Sequence, residues 1–159
     1  MELLSFFEWL ELHSALGHAS KAYGGVYAVF QSLHLLSLGL LGGTMLITDL
    51  RCFNLILKNT PLGTIVEQAH TWFRISLIVV LGTGVFMLAG VAIKCYTKPA
   101  FWVKMVALLT GVVFVFAIKR PLLTRNPSTL EPWVVKCVAV ASIGIWFTVA
   151  AAGRWIGFS

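Results

Sequence analysis

Charge is scarce in this chain. Only 11% of its 159 residues are Asp, Glu, Lys or Arg, where a soluble domain usually carries about a quarter. A chain so poor in charge cannot cover a water-facing surface, which excludes a disordered protein and an ordinary soluble enzyme. Cysteine is scarce too: Cys52, Cys95 and Cys137 are the three, with no C-x-x-C pair. An odd count without spacing argues against a disulfide scaffold or a zinc site and reads as three free thiols. Acidic residues are few, 6 against 12 basic, for a net charge of +6. A basic stripe with interleaved aromatics is absent, so the excess reads as interfacial anchoring and no nucleic-acid partner is expected. No repeat, linker or low-complexity segment is visible. Nor is any serine, cysteine or paired-carboxylate constellation, which argues against hydrolase chemistry.

What the chain has in abundance is apolar runs. Hydrophobic residues make up 58% of it. Val26 to Ile47, Ile75 to Ile93 and Cys137 to Gly153 carry no charge, and Phe101 to Ile118 carries only Lys104. A bilayer core of about 30 Å needs roughly 20 helical residues, and in lipid each backbone amide must be paired within its own segment, so the runs read as helices. The fold class expected is all-α: an integral membrane four-helix up-down bundle. Its spans are placed at about 24–48, 69–94, 100–119 and 132–156, within a domain over 21–159. Trp72, Trp102, Trp133 and Trp155 stand at run ends, where amphipathic rings prefer the interface. Pro61, Pro99, Pro121, Pro127 and Pro132 fall in connections or at helix starts.

Residues 1–20 lack the positive start of a cleavable signal. On a helical wheel Leu3, Phe6, Phe7, Leu10 and His13 share one side, and Glu2, Ser5, Glu8 and Glu11 the other. This predicts an amphipathic surface helix, serving as an anchor or as a lid over a site. The loops around 49–70 and 119–136 hold Arg51, Lys58, Arg74, Lys119, Arg120, Arg125 and Lys136; the other side holds Lys21, Lys94, Lys98, Lys104 and Arg154. The bias places both termini outside, on the periplasmic face of a bacterial inner membrane.

Polar groups inside a membrane are expensive, so each is a candidate site. His34 lies within the first span, one turn after Gln31, with the small pair Gly39 and Gly43 beyond it. It reads either as a histidine hydrogen-bonded within the bundle or as an axial ligand to heme or a metal. Lys104 lies one turn into the third span at similar depth. It either snorkels to the interface or pairs with an anionic group, such as a heme propionate or a quinone oxygen. His70 and Arg74, at the opposite end of the second span, read as an interfacial cluster or a second quinone or propionate site. Asp49 and Arg51 read as a helix-end ion pair. At about 1.5 Å per residue His34 and His70 fall in opposite halves of the bilayer. The second ligand is therefore sought at Met87 or Met105, or at His13 or His18 of the surface helix, with a five-coordinate heme or a ligand from a partner subunit equally open. A thioether with an imidazole suits heme and also Cu(I).

Leu33-His34-Leu35-Leu36 leading to Gly42-Gly43 resembles the first-helix His and Gly-Gly of CopD-like membrane domains. Trp72-Phe73-Arg74 leading to Thr83-Gly84, and Phe101-Trp102-Val103-Lys104-Met105 leading to Lys119-Arg120-Pro121, are similar to their later helices. The His and Lys pattern also resembles the HemJ family of heme-associated protoporphyrinogen oxidases, and Thr48-Asp49-Leu50-Arg51 is similar to the first-helix end of an uncharacterised relative. The resemblance covers roughly residues 30–121. It implies heme b on the first-helix His, or copper handling.

The function expected is that of a b-type heme membrane protein carrying electrons between the quinone pool and an outer-side partner, as a subunit of a larger complex or a homo-oligomer. A porphyrinogen oxidase, a copper carrier and a cofactor-free membrane anchor are the alternatives.

Overall fold

The computed structural model describes residues 2–22, 24–125 and 130–157. Two short helices, α1 (Glu2–Leu12) and α2 (Ala15–Ala22), precede the first span, α3 (Gly24–Cys52). The second span is α4 (Leu62–Gly90), followed by the one-turn α5 (Ala92–Tyr96). The third runs from α6 (Pro99–Val113) through a π-helical stretch (Phe114–Lys119) into α7 (Arg120–Arg125), and the fourth is α8 (Pro132–Ile156). Four helices are thus long and apolar enough to cross a membrane, and no strand occurs among the described residues. Neighbours in sequence are neighbours in space: α3 packs on α4, α4 on α7, α6 on α8, and α8 closes the ring on α3. The chain is an all-α, four-helix membrane bundle with both described ends at one end of it. That end is called the terminal end below, and the opposite one the loop end.

Three apolar layers fill the bundle. Phe7, Leu10, Ala89, Ala92 and Phe101 close the terminal end. Leu41, Met45, Phe73, Leu77, Val80, Val115, Trp146 and Val149 form the middle, and Cys52, Val66, Leu123, Val135, Val138 and Ala139 the loop end. Apolar side chains also point outward: Leu36, Ile78, Leu109 and Phe147 are each two-thirds or more exposed. In water such a surface would be an aggregation hazard; in a bilayer it is the lipid-facing side.

The spans depart from the expected boundaries for local reasons. The second starts at Leu62 rather than 69 and breaks at Val91 (φ −143°) instead of running to 94. At Gly90 a Cβ would stand 2.5 Å from Ser20 Oγ, so only glycine lets α2 lie so close to α4. The third span continues past 119 to Arg125. Pro121 lies inside it and not in a connection: lacking an N–H and crowding the carbonyl four residues back, it accompanies the wider π-helical turn just before it, where the Arg120 N–H bonds Val115 O. Pro99 and Pro132 do occupy helix starts, and Pro127 lies outside the described residues.

The expected single surface helix is two helices. Ser14 splits it: its hydroxyl bonds Leu10 O and accepts from the Gly17 N–H at 2.9 Å, capping α2. Phe7 and Leu10 are buried, but Leu3 and Phe6 are exposed. Glu11 is not on the solvent side. Its carboxylate pairs with Lys21 at 2.9 Å and accepts the Ile93 N–H at 2.8 Å, capping α5 from another helix. Gly39 and Gly43 do not form the close helix contact that such a small pair allows, since a Cβ at either would meet nothing within 4 Å. Arg51 does not pair with Asp49. It bonds Asn54 Oδ1 (3.0 Å) and Thr60 O (3.0 Å), bracing a loop in which Asn54 and Leu57 take positive φ.

Candidate functional site

His34 is buried on the inner face of α3, and its seat is built by α4. Its Nδ1 lies 2.8 Å from Thr83 Oγ1. The Thr83 hydroxyl, back-bonding as hydroxyls in helices do, donates to Val79 O at 2.6 Å. With that hydrogen committed, Thr83 receives from His34, which places the ring proton on Nδ1 and leaves Nε2 with its lone pair. The next residue, Gly84, makes the room: a Cβ there would stand 3.3 Å from His34 Cε1. Toward the terminal end the Phe30 and Phe86 rings stack at 3.9 Å between centroids. Thr83-Gly84 is therefore a seat that fixes the tautomer and orientation of one imidazole, which is what a metal-ligating histidine requires.

Lys104 enters the same half of the bundle from the third span. It is half-buried, and its Nζ lies 3.6 Å from where a Cβ on Gly153 of α8 would be. It is within electrostatic reach of His34 and of Cys95. Burial pushes the Cys95 thiol up, against the opposing pull of Lys104 and Lys94, so Cys95 is not a ready anion. Among the described residues Lys104 has no hydrogen-bond acceptor and no carboxylate partner.

The remaining expected ligands are less well placed. Met105 is half-buried against the terminal-end apolar layer and Met87 is half-buried on α4. His13, in the turn after α1, is exposed, as is His18. His34 and Lys104 lie within electrostatic reach of each other.

The loop end holds a cluster that the sequence reading missed. Lys119, 2% exposed, donates to Asp49 Oδ1 (2.6 Å), Thr48 Oγ1 (2.8 Å) and Ser142 Oγ (3.0 Å). All three ammonium hydrogens are thereby matched, and the carboxylate that balances the charge is itself 1% exposed. The π-helical turn ends at Lys119 and leaves it buried in the bundle. Asp49 and Lys119 are far apart in sequence, and the one available signal was a charged pair at matching depth on two spans. His70 and Arg74 are within electrostatic reach of each other but differ in burial. His70 is 4% exposed, edge-on to Phe116 at 4.9 Å, while Arg74 is exposed.

Fold and sites together define an integral membrane protein of the all-α class, with ionisable side chains held inside the bundle at two depths. A family of unknown function, DUF6644, matches residues 6–159, and the chain belongs to that family. No curated protein and no solved structure matches it.

Proposed function

We propose that this protein binds heme b through His34 and carries electrons between the quinone pool and a partner at the terminal end. The observation that supports this is the His34 ring, with Nδ1 held by Thr83 and Nε2 left to donate, within electrostatic reach of a lysine that has no carboxylate partner among the described residues. A metal held by side chains alone asks for several donors. Among the described residues no three His, Cys, Asp or Glu side chains form such a group. A porphyrin supplies four nitrogens itself and asks the protein for one or two, which a single seated imidazole can meet. His34 would hold the iron, Thr83 would keep its tautomer, and Lys104 would take a propionate carboxylate. Met87 and Met105 are the candidates within this chain for a sixth ligand. The heme would supply a reversible one-electron carrier.

In this reading the terminal end faces the periplasm of a bacterial inner membrane. The redox partner and the site of quinone chemistry belong to other subunits of a larger complex. The loop-end cavity beside His70, about 10 Å³, is too small for a quinone or a second heme.

The test is titration of the purified protein with hemin in detergent, read by the reduced-minus-oxidised visible spectrum, beside His34→Ala and Lys104→Met. The expected result is one heme per chain with sharp reduced bands. Those bands are lost in His34→Ala at unchanged helix content, and affinity falls several-fold in Lys104→Met. A wild type without bands, or a His34→Ala variant that binds like it, overturns the reading.

A further inference from the structure

Between α3, α4 and the third span, at the loop end, lies a cavity of about 10 Å³ lined by Met45, Thr48, Val66, His70, Val115, Lys119 and Arg120. That is about the volume one water needs, provided it finds several polar partners. The polar lining offers them. His70 is buried with neither ring nitrogen hydrogen-bonded among the described residues, and Arg120 Nε is buried in the same state. An imidazole and a guanidinium N–H left so would each cost on the order of 1–3 kcal/mol. Thr48 Oγ1 accepts from Lys119 and donates to Met45 O, which leaves it one more lone pair.

Charge decides what sits there. Lys119 is balanced by Asp49 at 2.6 Å and Arg120 by Glu67 at 3.1 Å. The two cations facing the cavity are therefore already neutralised, and a neutral ligand is favoured over an anion. Water fits: its oxygen accepts from Arg120 Nε–H, and its hydrogens go to a bare His70 nitrogen and to Thr48. The second His70 nitrogen then makes the chain of groups extendable.

We propose that this cavity is a single-water proton site, in which His70 exchanges a proton with solvent at the loop end past the half-exposed Arg120–Glu67 pair. The step is a proton transfer only: the cavity water gives H⁺ to the bare nitrogen of His70 and is re-protonated from solvent, with no change in oxidation state. The charged groups acting on His70 are Arg120 from α7 and Glu67 and Arg74 from α4 itself; Lys119 from the π-helical turn lines the same cavity, with Asp49 of α3 paired to it behind. From α8 only the neutral Ser142 enters the cluster, through its bond with Lys119. The Lys119–Asp49 pair holds the far wall and keeps a fixed net charge of zero behind the water. This inference stands apart from the heme reading and survives its failure.

The experiment is ¹⁵N-histidine NMR of the cofactor-free full chain in lipid nanodiscs. His70 is assigned by His70→Gln, and magnetisation transfer from water protons is recorded across a pH series. The expected result is rapid transfer from water to the His70 ring, a reversible pH-dependent shift of its nitrogens, and a displaced titration in Glu67→Gln. If His70→Gln does not fold, ¹³Cα-selective labelling of the wild type gives the assignment. A His70 ring that receives no magnetisation from water and keeps one tautomer at every pH overturns the proposal. So does a titration that Glu67→Gln leaves unmoved.

Discussion

The third span carries two lysines, and the bundle treats them in opposite ways. Lys119 at the loop end is sealed from solvent and matched hydrogen by hydrogen to Asp49, Thr48 and Ser142. Lys104, about 22 Å of helix rise away, is half-buried, lies near His34, and has no acceptor among the described residues. A buried ion pair complete in itself has no attraction left to offer a ligand; it fixes which helices meet, here α3, α8 and the third span. A cation kept in a low-dielectric setting without its counter-charge is different. Its attraction for an anion is unspent and strengthened by the surroundings. The difference favours the terminal end for the ligand proposed above, while the loop end combines a structural pin with the buried His70 beside it.

Breaking the pin has the largest expected effect. Asp49→Ala leaves Lys119 buried and charged with only the Thr48 and Ser142 hydroxyls to receive it, and loss of one partner of a buried pair costs about 3–5 kcal/mol. Unfolding in mixed micelles reads this as a loss of that size. Asp49→Leu with Lys119→Met restores most of it, since a well-packed apolar replacement is often neutral.

The next effect sharpens the other side of the comparison. Thr83→Val keeps the shape of the His34 seat and removes the acceptor that holds Nδ1–H. Loss of such a supporting group lowers metal affinity by about 10–100-fold, and hemin titration measures it. Folding stability should fall by about 1–3 kcal/mol for the unpaired buried Nδ1–H, with helix content unchanged because the valine fills the same space.

The smallest effect concerns the lid of the terminal end. Burial pushes the Glu11 carboxyl up, but the Lys21 hydrogen bond and charge and the Ile93 N–H outweigh it and hold it below its ordinary value of 4.5. The folded state thus prefers the ionised form. The stabilisation is complete above that ordinary value and is lost as pH falls through the lower folded one. The protection factor of the Ile93 amide, its exchange rate relative to the intrinsic rate at the same pH, should fall on acidification below pH 4.5, and Glu11→Gln should show the lower protection at neutral pH. A protection factor constant across that range removes Glu11 as the link between α1 and α5.

Much of this was legible in the sequence, and the residues show where legibility stops. The four spans follow from charge-free runs and the demand for internal pairing in lipid, and the last one begins and ends where expected, at Pro132 and Ile156. His34 and Lys104 stood out because a polar group inside an apolar run is costly on any helix. Lys119 did not, because it closes its run and so resembled the interfacial cations around it. Its partner comes from another span, and chain proximity suggested Arg51 for Asp49 instead. The α1–α2 corner was hidden for a similar reason: Ser14 caps locally, but Glu11 finds its amide on α5, far along the chain. Pro121 read as part of a connection, because a proline inside a span is costly; that the helix runs through it by way of a π-helical turn ending at Lys119 is a matter of packing, not of composition.

If one lysine serves the fold and the other a ligand, the two answer truncation differently. Unfolding free energies of Lys104→Met and Lys119→Met, measured side by side on the cofactor-free protein in the same micelles, test it most directly. The account predicts that Lys119→Met loses about 3–5 kcal/mol, while Lys104→Met is neutral or slightly more stable, since a half-buried charge without a partner is replaced by an apolar chain of similar length. Equal losses in the two variants, or a larger loss in Lys104→Met, would contradict it.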